Sequence, residues 1–297
     1  MTDLRNLTYG VIGLGMMGGS IAQAIRQTVL GASDGNGHIL ACDKDSTTLT
    51  AAHACGLIDE SYPPEQAGRL LATCDVVYVC LYPQATEHFI TAHMAAFKPG
   101  AVITDISGVK AALVPAINRA LRPDIDFVPG HPMAGGEKEG FVHADAAYFT
   151  GRNYLIMPQP YNRPESIALI RSLAAAMGFT HIVETDCVQH DHTIAFTSQL
   201  CHILAAALVA SAEHEQVTEF GGGSFEDLTR IAMINAPLWT ELFLANRAEL
   251  LAHIDRFSET LATFRQTISD NDDARLKALL GQVRNRRSSM ETYKQNG

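Results

Sequence analysis

YGVIGLGMMGGSIAQAI, residues 9–25, sets a short apolar run against a glycine-rich turn and then a helical pattern, and its reading decides the fold. GLGMMG at 13–18 matches GxGxxG, a weak motif alone that becomes informative where it ends a strand and opens a helix. Gly13 permits the tight turn, Gly15 lets backbone approach a pyrophosphate, and Gly18 lets the helix pack closely on the strand. The helix N-terminus then faces the phosphates. With Leu14, Met16 and Met17 between them, these residues are the expected cofactor contacts. A glycine turn that binds nothing is the alternative, and the next strand weighs against it. Asp43 ends HILACDKD, where a carboxylate accepts both ribose hydroxyls and repels a 2′-phosphate, favouring NAD over NADP; Lys44 beside it softens that preference. The gap between motif and acid exceeds the usual ~20 residues, with GASDGNG at 31–37 read as an inserted loop.

Outward from this unit, short runs rich in Val and Ile recur as far as residue 186: VVYVCL at 76–81, AVITDI at 101–106, FVPG at 127–130, NYLIMP at 153–158 and HIVETD at 181–186. Helical spacing lies between most of them. Continuous rather than alternating apolar runs indicate strands covered on both faces, hence a mostly parallel, doubly wound α/β sheet of Rossmann-like type. Leu81 and Tyr82, at the end of VVYVCL, are expected at its ligand-binding edge beside the cofactor. From Val188 to Glu219 there is neither Gly nor Pro, which predicts one long helix of about 32 residues, roughly 48 Å. Ser224 with Asp227 reads as a capping box and Asn235 before Pro237 as a further helix start. The expected division is a dinucleotide-binding domain over 1–187 and an all-helical domain, for substrate and dimerisation, over 188–297.

Composition narrows the partners. The 297-residue chain carries a formal net charge of -10 and no basic block beyond RNRR at 284–287, so neither nucleic acid nor an anionic membrane is expected. Six cysteines are scattered without a CxxC pair, as reduced thiols are in a cytosolic protein. The N-terminus lacks the build of a signal peptide, and ILAAALVA at 203–210 is too short to span a bilayer. A cytoplasmic protein acting on a small molecule is the expectation.

HPMAGGEKEG at 131–140 cannot continue a strand or run as a helix, so it is expected as a loop at a strand end, where backbone meets ligand. His131 there is a suitable base to take a hydroxyl proton while hydride leaves the adjacent carbon. Glu137 and Glu139 read equally well as solvated acids. On the long helix Asp191, Ala195, Ser198 and His202 share one stripe that could line a cavity. His190 and His192 read as a solvated helix start, whereas His202, within apolar SQLCHILAAAL, needs a partner. No zinc spacing is present, and no metal is expected. Arg230 is suited to bidentate capture of a carboxylate, with an ion pair to Glu226 as its alternative. Trp239, the single tryptophan, serves equally as core or as ligand wall.

With these pieces in order, VIGLGMMGGSIA, DISGVK, HPMAGGEKEG, HDHTIAFTSQLCH and GGGSFEDLTRIAMINAPLW, the chain resembles the prephenate/arogenate dehydrogenase family of tyrosine biosynthesis. The resemblance implies nicotinamide-linked oxidation of a ring hydroxyl coupled to loss of the ring carboxylate. It makes His131 the catalytic histidine, Arg230 the substrate-carboxylate arginine, and His202 a substrate-site histidine. Glu137, Asp191 and Trp239 also fall in its active-site motifs. Two positions depart from it. Ser107-Gly108 stands where the family writes Gly-Ser, displacing by one residue the serine that bonds the substrate hydroxyl, and Gln199 replaces a histidine bearing on substrate choice. From the chain length neither a regulatory domain nor a fused mutase is expected, and a homodimer through the helical domain is implied. Read from residues alone, the chain is a nicotinamide-dependent oxidoreductase for a small carboxylate-bearing alcohol. A β-hydroxyacid dehydrogenase would place a lysine in Val188–Glu219, which has none, and a non-catalytic NAD sensor is the alternative from another class. Prephenate is the expected substrate, because His202 and Gln199 can both donate to its keto group, with arogenate as the alternative, since Asp191 or Glu137 could instead neutralise its ammonium.

Overall fold

The computed structural model describes residues 3–31 and 35–296, with the side chains of 292–296 outside the description; residues 32–34 of the expected inserted loop lie outside the described residues. β1 (Thr8–Ile12), β2 (His38–Cys42), β3 (Glu60–Tyr62), β4 (Val76–Val79), β5 (Val102–Asp105) and β6 (Asp126–Phe127) form one parallel sheet in the order β3-β2-β1-β4-β5-β6. Its helices are α1 (Met16–Ala24), α2 (Ser46–Ala54), α3 (Ala67–Leu71), α4 (Pro83–Ala92) and α5 (Leu113–Ala120). Successive strand residues feed opposite layers. Val11, Ala41 and Tyr78 pack with α1 and α2, while Ile12, Cys42 and Val79 pack with α3, α4 and α5. That two-sided burial is why the strands read as unbroken apolar runs.

The strands after β6 leave this sheet. β7 (Gly130–Pro132) pairs antiparallel with β8 (Asn153–Ile156), which pairs parallel with β9 (His181–Glu184) beyond α6 (Pro164–Ala176). His131 is therefore on a strand of a second, three-stranded sheet, in register with Leu155, and not in a loop of the first. Apolar runs report strands; they do not report which sheet recruits them.

The long-helix expectation is corrected. α7 (Cys187–Ile194) begins at the cap of Asp186, whose carboxylate accepts from Val188 and Gln189 N–H, opens into a π-turn at Ala195–Gln199, and continues as α8 (Leu200–Ala210). It ends at Ser211, short of the acids Glu213, Glu215 and Glu219, which would be unfavourable near the negative end of the dipole. The whole helix, Cys187–Ala210, is long and apolar enough to cross a membrane by length and composition, which a count of 203–210 alone understates. α9 (Gly223–Thr229) is preceded by Gly222 with no side-chain cap, so Ser224 caps nothing, whereas α10 (Ala236–Ala245) starts at Asn235, whose Oδ1 accepts from Leu238 N–H at 2.8 Å.

Two compact units result, Met1–Arg247 and Ala248–Gly297. The first includes α7 to α10, which are bonded to the sheet domain, so the compact division falls later in the chain than the change from strands to helices at 187/188. The second holds α11 (Arg247–Ser269, from Ala248 onward) and α12 (Asp273–Asn296), joined through Asn271 at φ +51°. Leu261, Ile268, Leu280 and Val283 are exposed on it.

Candidate active site

The site gathers where the carboxyl ends of β1 and β4 meet, the switch point at which open α/β sheets bind ligands. Gly13 has φ +90°, and a Cβ there would lie 2.8 Å from the Cys80 carbonyl oxygen; one on Gly18 would lie 1.9 Å from the Gly13 oxygen. Neither position admits a side chain. Gly15, at the start of α1, has nothing within 4 Å of such an atom. The loop is thus closed towards the protein and open where a phosphate would approach. Asp43 follows β2, with Oδ2 accepting from Leu14 N–H at 2.6 Å and Oδ1 from Asp45 N–H at 2.8 Å. This couples the acid to the glycine loop and leaves lone pairs for hydroxyl donors. Open cradle, helix N-terminus and carboxylate together fit a dinucleotide.

His131 is held by partners that the sequence placed elsewhere. Its Nδ1 lies 2.9 Å from His190 Nε2, and His190 Nδ1 lies 2.7 Å from Asp191 Oδ1. Asp191 also accepts from the backbone N–H of Lys110 (2.9 and 3.2 Å) and Ala111 (2.8 Å). The carboxylate is an acceptor, so His190 carries its proton on Nδ1, its Nε2 accepts, and His131 donates from Nδ1. The result is a bare lone pair on His131 Nε2. Burial above all, with help from His190 and Lys110, holds the His131 pKa well below the ordinary histidine value, and burial lowers that of His190. Both rings are neutral at pH 7. His190 is 1% exposed, which corrects its reading as part of a solvated helix start, whereas His192 is exposed as expected. Asp191 orients this chain and does not line a cavity.

The turn after β5 supplies the other side. Gly108 faces the imidazole: a Cβ there would sit 3.9 Å from His131 Cε1 and 3.3 Å from Leu242 Cδ2. Ser107 donates its N–H to Asp105 (2.9 Å), and its buried Oγ has no partner. The serine and the imidazole are therefore not bonded.

Three segments meet over the crevice. Glu137 of the His131 loop pairs with Arg230 at the end of α9, so the expected ion-pair partner Glu226 is replaced by an acid 93 positions away. Glu139 and the Tyr82 hydroxyl both accept from Asn235 Nδ2, at 2.7 and 2.8 Å. Neither glutamate is a free solvated acid. One turn into α10, Trp239 stacks on His202 with ring centroids 3.6 Å apart, forming a wall. His202 Nδ1 is 2.9 Å from the Ser198 carbonyl, and burial lowers its pKa. The neutral ring therefore donates from Nδ1 and presents Nε2 as an acceptor. Gln199 does not reach the crevice: 1% exposed, it donates to the Leu242 carbonyl (3.2 Å) and accepts from Asn246 (2.9 Å), tying the π-turn to α10. Each extra residue in a wide turn rotates the rest of the helix by about 100°, so the π-turn also breaks the stripe drawn from Asp191 to His202.

Lys110 and Asp105 were missed, and His190 and Asn235 were read only as a solvated residue and a helix start. The one available signal was adjacency, since His190 precedes Asp191, and Asp105 and Lys110 bracket DISGVK.

Comparison with known proteins gives the family and the fold. Residues 21–183 match the nucleotide-binding domain of prephenate dehydrogenase, and residues 186–282 match its dimerization domain. A prephenate dehydrogenase of Bacillus subtilis is 27% identical over 275 residues, covering 89% of this chain and 71% of the relative. A cyclohexadienyl dehydrogenase of Zymomonas mobilis is 27% identical over 278 residues, 92% and 91% of the two chains. Among solved structures, prephenate dehydrogenase from A. aeolicus in complex with hydroxyphenyl propionate and NAD+ superimposes with a TM-score of 0.84 at 25% identity, covering 96% and 98%. Synechocystis arogenate dehydrogenase gives 0.78 at 25% identity, covering 96% and 100%. With residues 21–183, which hold the histidine strand, and residues 186–282 of the helical part matched in order, this chain belongs to the prephenate dehydrogenase family.

Proposed function

We propose that the protein is an NAD-dependent prephenate dehydrogenase, converting prephenate to 4-hydroxyphenylpyruvate and CO2 in tyrosine biosynthesis. The observation that carries this is the unprotonated Nε2 of His131, fixed by His190 and Asp191 beside a dinucleotide cradle. His131 takes the proton of the ring C4 hydroxyl as that carbon becomes a carbonyl. When bound, oxidised nicotinamide supplies the acceptor for the C4 hydride. The ring carbon–carboxylate bond then breaks, its electrons entering the ring, and the phenol oxygen recovers a proton. Arg230 binds a substrate carboxylate, and Trp239 with His202 walls the side chain.

A second reading, arogenate as substrate, is favoured by one observation. Prephenate's keto group needs a donor, and arogenate's ammonium needs an acceptor, which is what neutral His202 offers. Absorbance at 340 nm with prephenate and with arogenate, each with NAD and NADP, decides both choices. Higher kcat/KM with prephenate is the expected result; a higher value with arogenate, reduced in His202→Ala, assigns the ammonium to His202. No NADH from either substrate despite normal NAD binding returns the protein to a sensor.

NAD preference is set by Asp43. Asp43→Asn keeps an acceptor for Leu14 N–H but removes the charge, so we expect KM for NAD to rise about tenfold and NADP use to improve. Equal efficiency with both cofactors in the unmodified enzyme contradicts the assignment.

The enzyme is proposed as a cytoplasmic homodimer with no nucleic-acid or membrane partner. The dimerization-domain match and the exposed apolar side chains of 248–297 support the dimer. The apolar helix carries buried, bonded His190, Asp191 and Gln199, which suits a docked helix and not a span.

A further inference from the structure

Lys110 has no solvent exposure, and the chemistry above makes no direct use of it. Its Nζ lies 2.5 Å from Asp105 Oδ2 and 2.7 Å from the Gly130 carbonyl oxygen. Asp105, equally buried, accepts from Gly130 N–H at 3.3 Å. The residue immediately before His131 is thus gripped on both its N–H and its carbonyl by one buried ion pair. At the other end, the Lys110 backbone N–H donates to both oxygens of Asp191, the carboxylate that ends the histidine chain.

Stability does not explain a lysine here. Replacing both partners of a buried ion pair by apolar groups of similar volume is often neutral or stabilising, so an apolar pair at 105 and 110 would fill this space at no disadvantage. We propose that Lys110 is a positioning residue for His131: it clamps both ends of the His131–His190–Asp191 chain and sets a fixed positive charge behind the two rings.

The charge acts in a definite direction. The groups bearing on His131 are His190, from α7, and Lys110, from the turn after β5, and both disfavour the imidazolium alongside burial. Asp191 and Asp105 lie one partner further back and favour the charged form of His190, against burial and Lys110. Of the buried pair, the ammonium is the partner that bears on His131. Removing it makes the base easier to protonate, so less of it is available at a given pH.

This inference rests on His131 as the base, and the test separates the two. Lys110→Gln keeps a hydrogen-bonding head but leaves Asp105 without a countercharge; Lys110→Gln with Asp105→Asn leaves no unpaired charge, and it decides the matter if the single variant does not fold. In each, the His131 ring is titrated by NMR in the cofactor-free protein, its signal assigned by loss in His131→Asn, alongside kcat/KM against pH. We expect the ring midpoint and the acid limb to rise together by about one pH unit, with NAD affinity unchanged. A ring midpoint at the wild-type value in a folded variant overturns the inference, whatever happens to kcat. A midpoint that rises while the acid limb stays in place upholds the effect of Lys110 and instead contradicts His131 as the base.

Discussion

His131→Asn lowers kcat by about 10²–10⁴ and leaves NAD affinity nearly unchanged. Asparagine is close in size to the part of the imidazole that bears Nδ1, and its amide N–H can donate to His190 Nε2 as His131 does at 2.9 Å. The strand and the chain behind it should survive, and what is lost is the lone pair on Nε2. Because only the base is removed, kcat and kcat/KM should fall together. The wild-type profile adds a check with a definite sign. A histidine held well below its ordinary pKa of ~6.5 remains a base throughout neutral pH, so kcat/KM should be flat around pH 7 and fall only well below 6.5. Steady-state kinetics showing more than about a tenth of the wild-type kcat in the variant would sink the assignment.

The second large effect is on substrate binding. Arg230→Ala should raise KM for prephenate by a factor of about 30 or more, ~2 kcal/mol, with KM for NAD unaltered. The reason lies in the ion pair: Arg230 is 64% exposed in its side chain and is turned towards Glu137 on the loop that continues from His131. A pair this exposed contributes little to stability, so loss of folding is not the expected consequence. A guanidinium in that place can exchange Glu137 for a substrate carboxylate, which its fork of N–H donors can bind with two parallel hydrogen bonds. Glu137→Gln removes the competitor and should leave KM for prephenate equal or lower. An unchanged KM in Arg230→Ala reduces the residue to a tie between α9 and the loop.

How much of this was legible in the chain depends on the distance over which each interaction is set. The nucleotide cradle was legible because its causes are local. Gly13 needs a positive φ and Gly18 a missing Cβ within one strand–turn–helix unit, and Asp43 is placed by the end of the next strand. The two-sided sheet was legible because burial on both faces writes continuous apolar runs. The start of α10 was legible too, since Asn235 caps a helix three residues away.

Direction and pairing were decided only by the tertiary structure. The sequence made His131 a candidate but put it in a loop, because nothing local says that Gly130–Pro132 pairs with Asn153–Ile156. It named Asp191 but gave it to a cavity, since an ideal helical phase was carried through a π-turn that no residue announces. His190 passed for a solvated residue because its environment consists of His131, 59 positions away in sequence, and Lys110 was passed over because a lysine reads as surface unless its buried partner is known. The hydrogen bond to Ser198 makes neutral His202 an acceptor. Residue types and short spacings carry propensity and chemistry; tautomer, charge state and partner are set by contacts between segments that the chain order leaves far apart.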